Sequence, residues 1–184
     1  MDQDVVGAVK QVRYGERKGM KRVDRDEYGT VSRNPIAILS WATDKANIGG
    51  ICRLAEAYLV ERLFCLDTPG FAAAVGTHKW QPTSATRDLH AVVETMRQGG
   101  FPIVALEITD VSVDLREARL PSQMCLLVGN EGTGVPTKAL DRADMAITIP
   151  QFGMVGSLNV TMATAITLYE WSRQYDPRTV WRAA

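Results

Sequence analysis

The chain has 184 residues, 46% of them apolar, and its 21 basic residues are balanced by 21 acidic ones. That length and composition predict a single globular domain with an ordinary core and exclude a low-complexity protein, while zero net charge argues neither for nor against an acidic partner. Cys52, Cys65 and Cys125 are scattered among apolar residues, a pattern of buried reduced thiols rather than a disulfide frame. No CxxC pair or histidine cluster offers a metal site, and His78 and His90 stand in unrelated contexts. With no apolar leader and no run long enough to span a bilayer, the expectation is a soluble, cytoplasmic protein with no membrane and no metal partner.

Residues 1–33 differ from the rest. Seven basic residues stand between Lys10 and Arg25 against Glu16 and Asp24, and glycines 7, 15, 19 and 29 interrupt any helical pattern. The stretch reads as an extended arm, either a solvated tail or a basic segment that contacts phosphates. From Asn34 onward apolar strands alternate with helices. Strands are expected at 36–40, 63–66, 103–106, 124–128 and 145–149, and helices at 47–58, 89–98, 136–142 and 158–173. The 47–58 helix has Ile51, Leu54, Ala55 and Tyr58 at helical spacing. Residues 71–88, with His78-Lys79-Trp80 at their centre, read as irregular, 110–120 as loop with a short helix at most, and 177–184 as a tail. The 158–173 helix is read as core, with Leu158, Met162, Ile166 and Tyr169 on one packed face.

Short apolar strands separated by helices imply an α/β fold: a mostly parallel sheet with helices on both faces. In such sheets ligands lie beyond the strand C-termini, and three polar or glycine-rich segments follow strands here, at 43–53, 129–134 and 150–159. The middle one, Gly129-Asn130-Glu131-Gly132-Thr133-Gly134, can bend tightly and approach a ligand closely. It contains neither GxxxxGK[ST] nor GxGxxG, and Glu131 disfavours an anion; a ligand with hydroxyls, amines or positive charge and a plain tight turn both fit. In the first segment Asn47 is a natural N-cap. Arg53, six residues on, needs an acidic partner such as Glu56 or Glu131, or else a phosphate or carboxylate ligand. In the last segment one of Ser157 and Asn159 caps the final helix and leaves the other for a ligand.

Together the segments resemble the three signature motifs of the SpoU (TrmH-like) family of SPOUT RNA ribose 2′-O-methyltransferases. The resemblance rests on Asn47-x-Gly49-x-x-x-Arg53, on Leu127-Val128-Gly129-Asn130-Glu131-Gly132-x-Gly134, and on Ile149-Pro150-x-x-Gly153-x-x-x-Ser157-Leu158-Asn159-Val160 followed by Leu168-Tyr169-Glu170. It covers residues 34–174 in the family's order and spacing. It implies a C-terminal deep trefoil knot, S-adenosyl-L-methionine as cofactor and a homodimer built on the knot and the last helix. It further implies Arg53 as the central catalytic residue, with Asn47, Glu131, Ser157 and Asn159 arranging the site. The cofactor would lie against the backbone of Leu127, Val128, Gly129, Ile149 and Leu158, with Gln151 also at its site. Gly50 stands where relatives often have Asn or Ala, which would loosen the first helical turn, and Thr161 replaces a common Ser. The absence of a separate RNA-binding domain and the Trp80-x-Pro82 segment favour tRNA, at a D-loop guanosine, over ribosomal RNA. A non-catalytic RNA-binding or cofactor-binding subunit is the competing reading, and the intact motifs speak against it.

Overall fold

The computed structural model describes residues 32–67 and 72–175; the basic stretch 10–25 and the tail 177–184 lie outside the described residues. In chain order the elements are β1 (Asn34–Ser40), α1 (Lys45–Ala57), β2 (Val60–Leu66), β3 (Thr83–Thr86), α2 (Leu89–Gln98), β4 (Ile103–Leu106), β5 (Val113–Asp114), β6 (Met124–Val128), α3 (Thr137–Leu140), β7 (Met145–Thr148) and α4 (Val160–Tyr175). The seven strands form one sheet in the order β3-β2-β1-β6-β4-β7-β5, and every neighbouring pair is parallel.

Side-chain alternation along the strands divides the core. Ile36 and Ile38 of β1, Val104 of β4 and Met124, Leu126 and Val128 of β6 point to one face, under Ile48, Ile51, Cys52 and Ala55 of α1 and Leu168 and Trp171 of α4. Ala37, Leu39, Ile103, Ala105, Cys125 and Leu127 point to the other, against Leu89 and Val93 of α2 and Ala139 of α3. Parallel strands buried on both faces must be apolar at every position, which is why β6 reads as the unbroken run MCLLV. Register is fixed at the centre, where Ile38 lies between Leu63 and Leu126. Each such side chain, fully buried, contributes roughly 1.5–3 kcal/mol.

Two strands and several boundaries differ from the sequence reading. Residues 71–88 contain two 3-10 turns, Ala72–Ala74 and Thr77–Lys79, and then β3; the 110–120 stretch contains β5 and no helix. Both strands lie at sheet edges, are short, and are partly exposed, so neither carries a hydrophobic period. Arg33, counted with the basic arm, is built into the folded unit: its guanidinium donates to the Val60 and Trp80 carbonyls, to Gln81 Oε1 and to Glu56. The stripe Leu158, Met162, Ile166 and Tyr169 is not core. These side chains are 37–62% exposed, and α4 instead buries Thr164, Thr167, Leu168 and Trp171. Thr164 and Thr167 can be buried because their hydroxyls donate to the Val160 and Ala163 carbonyls four residues back.

Close helix contact explains two features that looked unrelated in sequence. A β-carbon on Gly50 would stand 2.7 Å from Thr161 Cγ2, so the glycine of α1 makes room for the extra methyl of α4 rather than loosening the helix. Gly50→Ala is therefore expected to destabilise the fold by about 1–3 kcal/mol despite alanine's higher helix propensity. Adding Thr161→Ser should recover most of that loss in a denaturation double-mutant cycle; additive losses would show that the methyl is not the obstacle.

All three cysteines are free and fully buried. Burial pushes the Cys52 thiol up to about 11 and the Cys65 and Cys125 thiols up to about 12. The native protein should resist an aromatic disulfide reagent at pH 8 and release three equivalents only when unfolded. Because unfolding restores the ordinary value of 9.0, the stabilisation is complete below pH 9 and falls as pH rises toward 11–12.

Candidate functional site

The three polar segments gather beyond the C-terminal ends of β1, β6 and β7. Asp44, in extended conformation, is the N-cap of α1: its carboxylate accepts from the Ala46 and Asn47 amides at 2.8 and 3.0 Å. Asn47 is thus not the cap, and its side chain is free for tertiary contacts. Its Nδ2 donates to Glu131 Oε1 at 2.6 Å, and its Oδ1 accepts from Asn159 Nδ2 at 2.8 Å. Thr161 Oγ1 adds longer bonds to the Asn47 carbonyl and Oδ1 at 3.2 and 3.3 Å. Asn159 is the cap of α4, with Oδ1 accepting from the Thr161 and Met162 amides at 2.9 and 3.3 Å. Ser157, exposed like Asn159, takes no part in the cap.

The glycine loop after β6 is closed on itself. Asn130 and Gly134 exchange two backbone hydrogen bonds of 2.9 Å, and Asn130 Oδ1 accepts from the Gly132 amide at 2.8 Å. Asn130 Nδ2 reaches Thr43 Oγ1 at 3.1 Å, tying the loop to the one after β1. A β-carbon on Gly129 would lie 2.4–2.7 Å from the backbone of Gly134 and Val135, so only glycine allows the loop to return so tightly.

Behind this junction lies a cavity of about 370 Å³, within the roughly 300–1,000 Å³ usual for small-ligand sites. Of the residues expected at a cofactor, Gly129, Ile149, Gln151 and Leu158 line it, as do Glu131 and Ser157. Leu127 and Val128 bury their side chains in the sheet directly before Gly129, which leaves only their backbone to meet a ligand. Three wall residues that sequence reasoning passed over are Leu106, Glu107 and Ile108 at the end of β4. A carboxylate directly after a buried strand was the available signal, since ligands collect at strand C-termini.

The chemistry of the wall fits a ligand carrying N–H groups or positive charge. Gln151 Oε1 is buried without a hydrogen-bond partner. Glu107 and Glu131 supply carboxylates, and among the described residues no Lys, Arg or His lines the cavity. Gln151 lies in a loop with exposed Phe152, Gly153 and Met154; the Arg116 guanidinium stands 5.8 Å from the Phe152 ring while held by both Asp114 carboxylate oxygens. Among the described residues no group of three His, Cys, Asp or Glu is placed to hold a metal ion, and no helix is long and apolar enough to cross a membrane.

Arg53 is exposed on α1 and makes no ion pair or hydrogen bond among the described residues. The two structural partners considered for it are occupied elsewhere, Glu56 by Arg33 at 3.3 Å and Glu131 by Asn47. A charged, unengaged guanidinium two turns beyond Asn47 is the feature a structural salt bridge does not explain.

Residues 34–169 match the SpoU rRNA Methylase family. The tRNA (guanosine(18)-2′-O)-methyltransferase of Escherichia coli K12 is 37% identical over 134 residues, covering 70% of this chain. The match spans only 58% of that relative's length. Among solved structures, the Aquifex aeolicus TrmH/SpoU tRNA modifying enzyme superposes with a TM-score of 0.74 at 30% identity, over 83% of this chain and 82% of its own. An AdoMet-bound rRNA methyltransferase from Sinorhizobium meliloti superposes with a TM-score of 0.68 at 27% identity, over 75% and 55%. The match takes in all three segments that Asn47, Glu131 and Asn159 join here, and the chain belongs to the SpoU methylase family.

Proposed function

We propose that this protein is an S-adenosylmethionine-dependent RNA ribose 2′-O-methyltransferase that acts in the cytoplasm on tRNA, at a D-loop guanosine. The observation that carries the reading is the junction of Asn47, Glu131 and Asn159 at a cavity rich in hydrogen-bond acceptors. The names of the E. coli and A. aeolicus relatives support a tRNA substrate, and the AdoMet-bound S. meliloti relative supports the cofactor. Ribosomal RNA is the second reading, favoured by the family's description and by the S. meliloti name.

When bound, S-adenosylmethionine supplies an electrophilic methyl group on sulfur. The glycine backbone at Gly129 would give it a close wall, Ile149 and Leu158 would give it apolar surface, and the unpartnered Gln151 Oε1 would accept one of its N–H groups. A guanidinium has donors and no acceptor, so Arg53 is not the group that receives the hydroxyl proton. Its role is to hold the phosphate beside the target ribose and to stabilise charge forming on the 2′-oxygen. Ser157, exposed at the entry to α4, meets the ribose. Asn47, Glu131 and Asn159 are positioning residues: bonded to one another, they hold the elements bearing Arg53 and Ser157 in fixed relation.

The exposed stripe Leu158, Met162, Ile166 and Tyr169, extended by Met154, supports a homodimer through α4 and the knotted segment that the family resemblance implies. The basic arm 10–25 would add phosphate contacts.

Incubation with labelled S-adenosylmethionine and either tRNA or ribosomal RNA, followed by mapping of hydrolysis-resistant riboses, tests the substrate. Label on a tRNA guanosine is expected; label only on ribosomal RNA selects the second reading, and none from a folded, cofactor-binding protein supports a non-catalytic subunit. Arg53→Ala should lower the rate about 10²–10³-fold while leaving cofactor affinity within about threefold; equal labelling by variant and wild type removes Arg53 from catalysis. Ile166→Glu should shift a sedimenting dimer to monomer, and an unchanged mass would place the interface elsewhere.

A further inference from the structure

Glu107 takes no part in the junction of signature residues, yet its carboxylate is built into the cavity wall. Oε2 accepts from the Val135 amide at 2.7 Å and Oε1 from its neighbour Ile108 at 3.0 Å. Gly134 stands directly against it. Its φ is +68°, and a β-carbon there would lie 2.4 Å from Glu107 Oε2. The end of β4 and the glycine loop are thus shaped around a negative charge whose direction two backbone amides hold. Among the described residues it has no counter-ion. Among the described residues no cation lines the cavity, and Arg116, over the neighbouring Phe152, is held by Asp114. Glu131, the other acidic lining residue, is bonded to Asn47, and Gln151 offers a further unpartnered acceptor.

We propose that Glu107 makes this cavity discriminate the charged methyl donor from its spent product. The inference rests on the methyltransferase reading above. In both molecules the α-ammonium and carboxylate cancel, so the donor's sulfonium leaves it with one net positive charge, and the thioether product has none. Methyl transfer breaks the sulfur–methyl bond, leaving its electron pair on sulfur, forms the bond from methyl to the 2′-oxygen and passes the hydroxyl proton to solvent water, so the positive charge leaves the cavity ligand in the chemical step. A fixed carboxylate in a partly enclosed, cation-free wall attracts the first species and not the second. Product release is then favoured by the loss of that attraction, without a moving lid.

Calorimetric titration of the RNA-free protein with S-adenosylmethionine, S-adenosylhomocysteine and sinefungin, a non-reacting analogue bearing an ammonium near the methyl position, tests this. The wild type should bind the two cationic ligands on the order of tenfold more tightly than the thioether. Glu107→Gln should lose most of that preference, weakening both cationic ligands by about five- to tenfold and the thioether by less than about twofold. Equal weakening of all three would make Glu107 only a brace between β4 and the glycine loop and overturn the proposal. If Glu107→Gln does not fold, the wild type decides: equal affinity for cationic and neutral ligands overturns the charge assignment while leaving the methyltransferase reading intact. Failure of the wild type to bind any of the three removes both.

Discussion

The side-chain amide of Asn47 joins segments that stand 84 and 112 residues away along the chain, and the candidate site depends on that junction. An amide suits the task because it carries a donor and an acceptor on one rigid plane. Its donor meets the Glu131 carboxylate, a charge-assisted bond, and its acceptor takes an N–H from Asn159. Each partner is itself constrained: Glu131 by a loop closed through Asn130 and Gly134, Asn159 by capping α4. Loss of the amide would leave a carboxylate and a helix cap without their shared partner; both are exposed, so water can satisfy them and what is lost is the fixed geometry.

The sheet makes this junction attainable. Parallel pairing of β1, β6, β4 and β7 brings their C-terminal ends to one edge, so loops remote in sequence become neighbours. Glycine then sets how close they come. Gly49 packs against Ala73 and Ala74, Gly50 against Thr161, and Gly129 against the returning glycine loop, each at distances that exclude a β-carbon. These contacts bring α1, α4 and the loops together without long side chains, leaving the space behind them as a cavity.

Charge is distributed with a purpose that the net value of zero conceals. The cavity wall carries carboxylates and an unpartnered amide oxygen, whereas Arg53 stands exposed on α1 without a protein counter-ion among the described residues. A small cationic ligand and a large anionic one can thus be held on adjoining surfaces, each by its own electrostatic preference. The exposed apolar stripe of α4 adds a third kind of surface, without charge of either sign.

Local chemistry was legible from the sequence wherever one residue's neighbours in the chain decide its fate. The unbroken apolar run of β6 implied a doubly covered parallel strand, the glycines at 129–134 implied a tight loop, and the scattered cysteines implied buried thiols. The order of the signature residues located one site beyond the strand ends. Pairing, face and partner were not legible. Thr83–Thr86 and Val113–Asp114 became strands only because a neighbouring edge offered hydrogen bonds. The last helix, apolar on more than one side, turned Thr164, Thr167, Leu168 and Trp171 inward and its methionine stripe outward; the threonines tolerate burial because their hydroxyls bond to the helix backbone. Glu107 joined the site through the fold of β4 against the glycine loop, 27 residues away from the Gly134 it faces. Sequence alone determined which residues have the chemistry for a site, because backbone conformation and apolar period are local properties. Tertiary structure alone decided which of them meet, because a hydrogen bond between distant residues depends on the relative placement of whole elements.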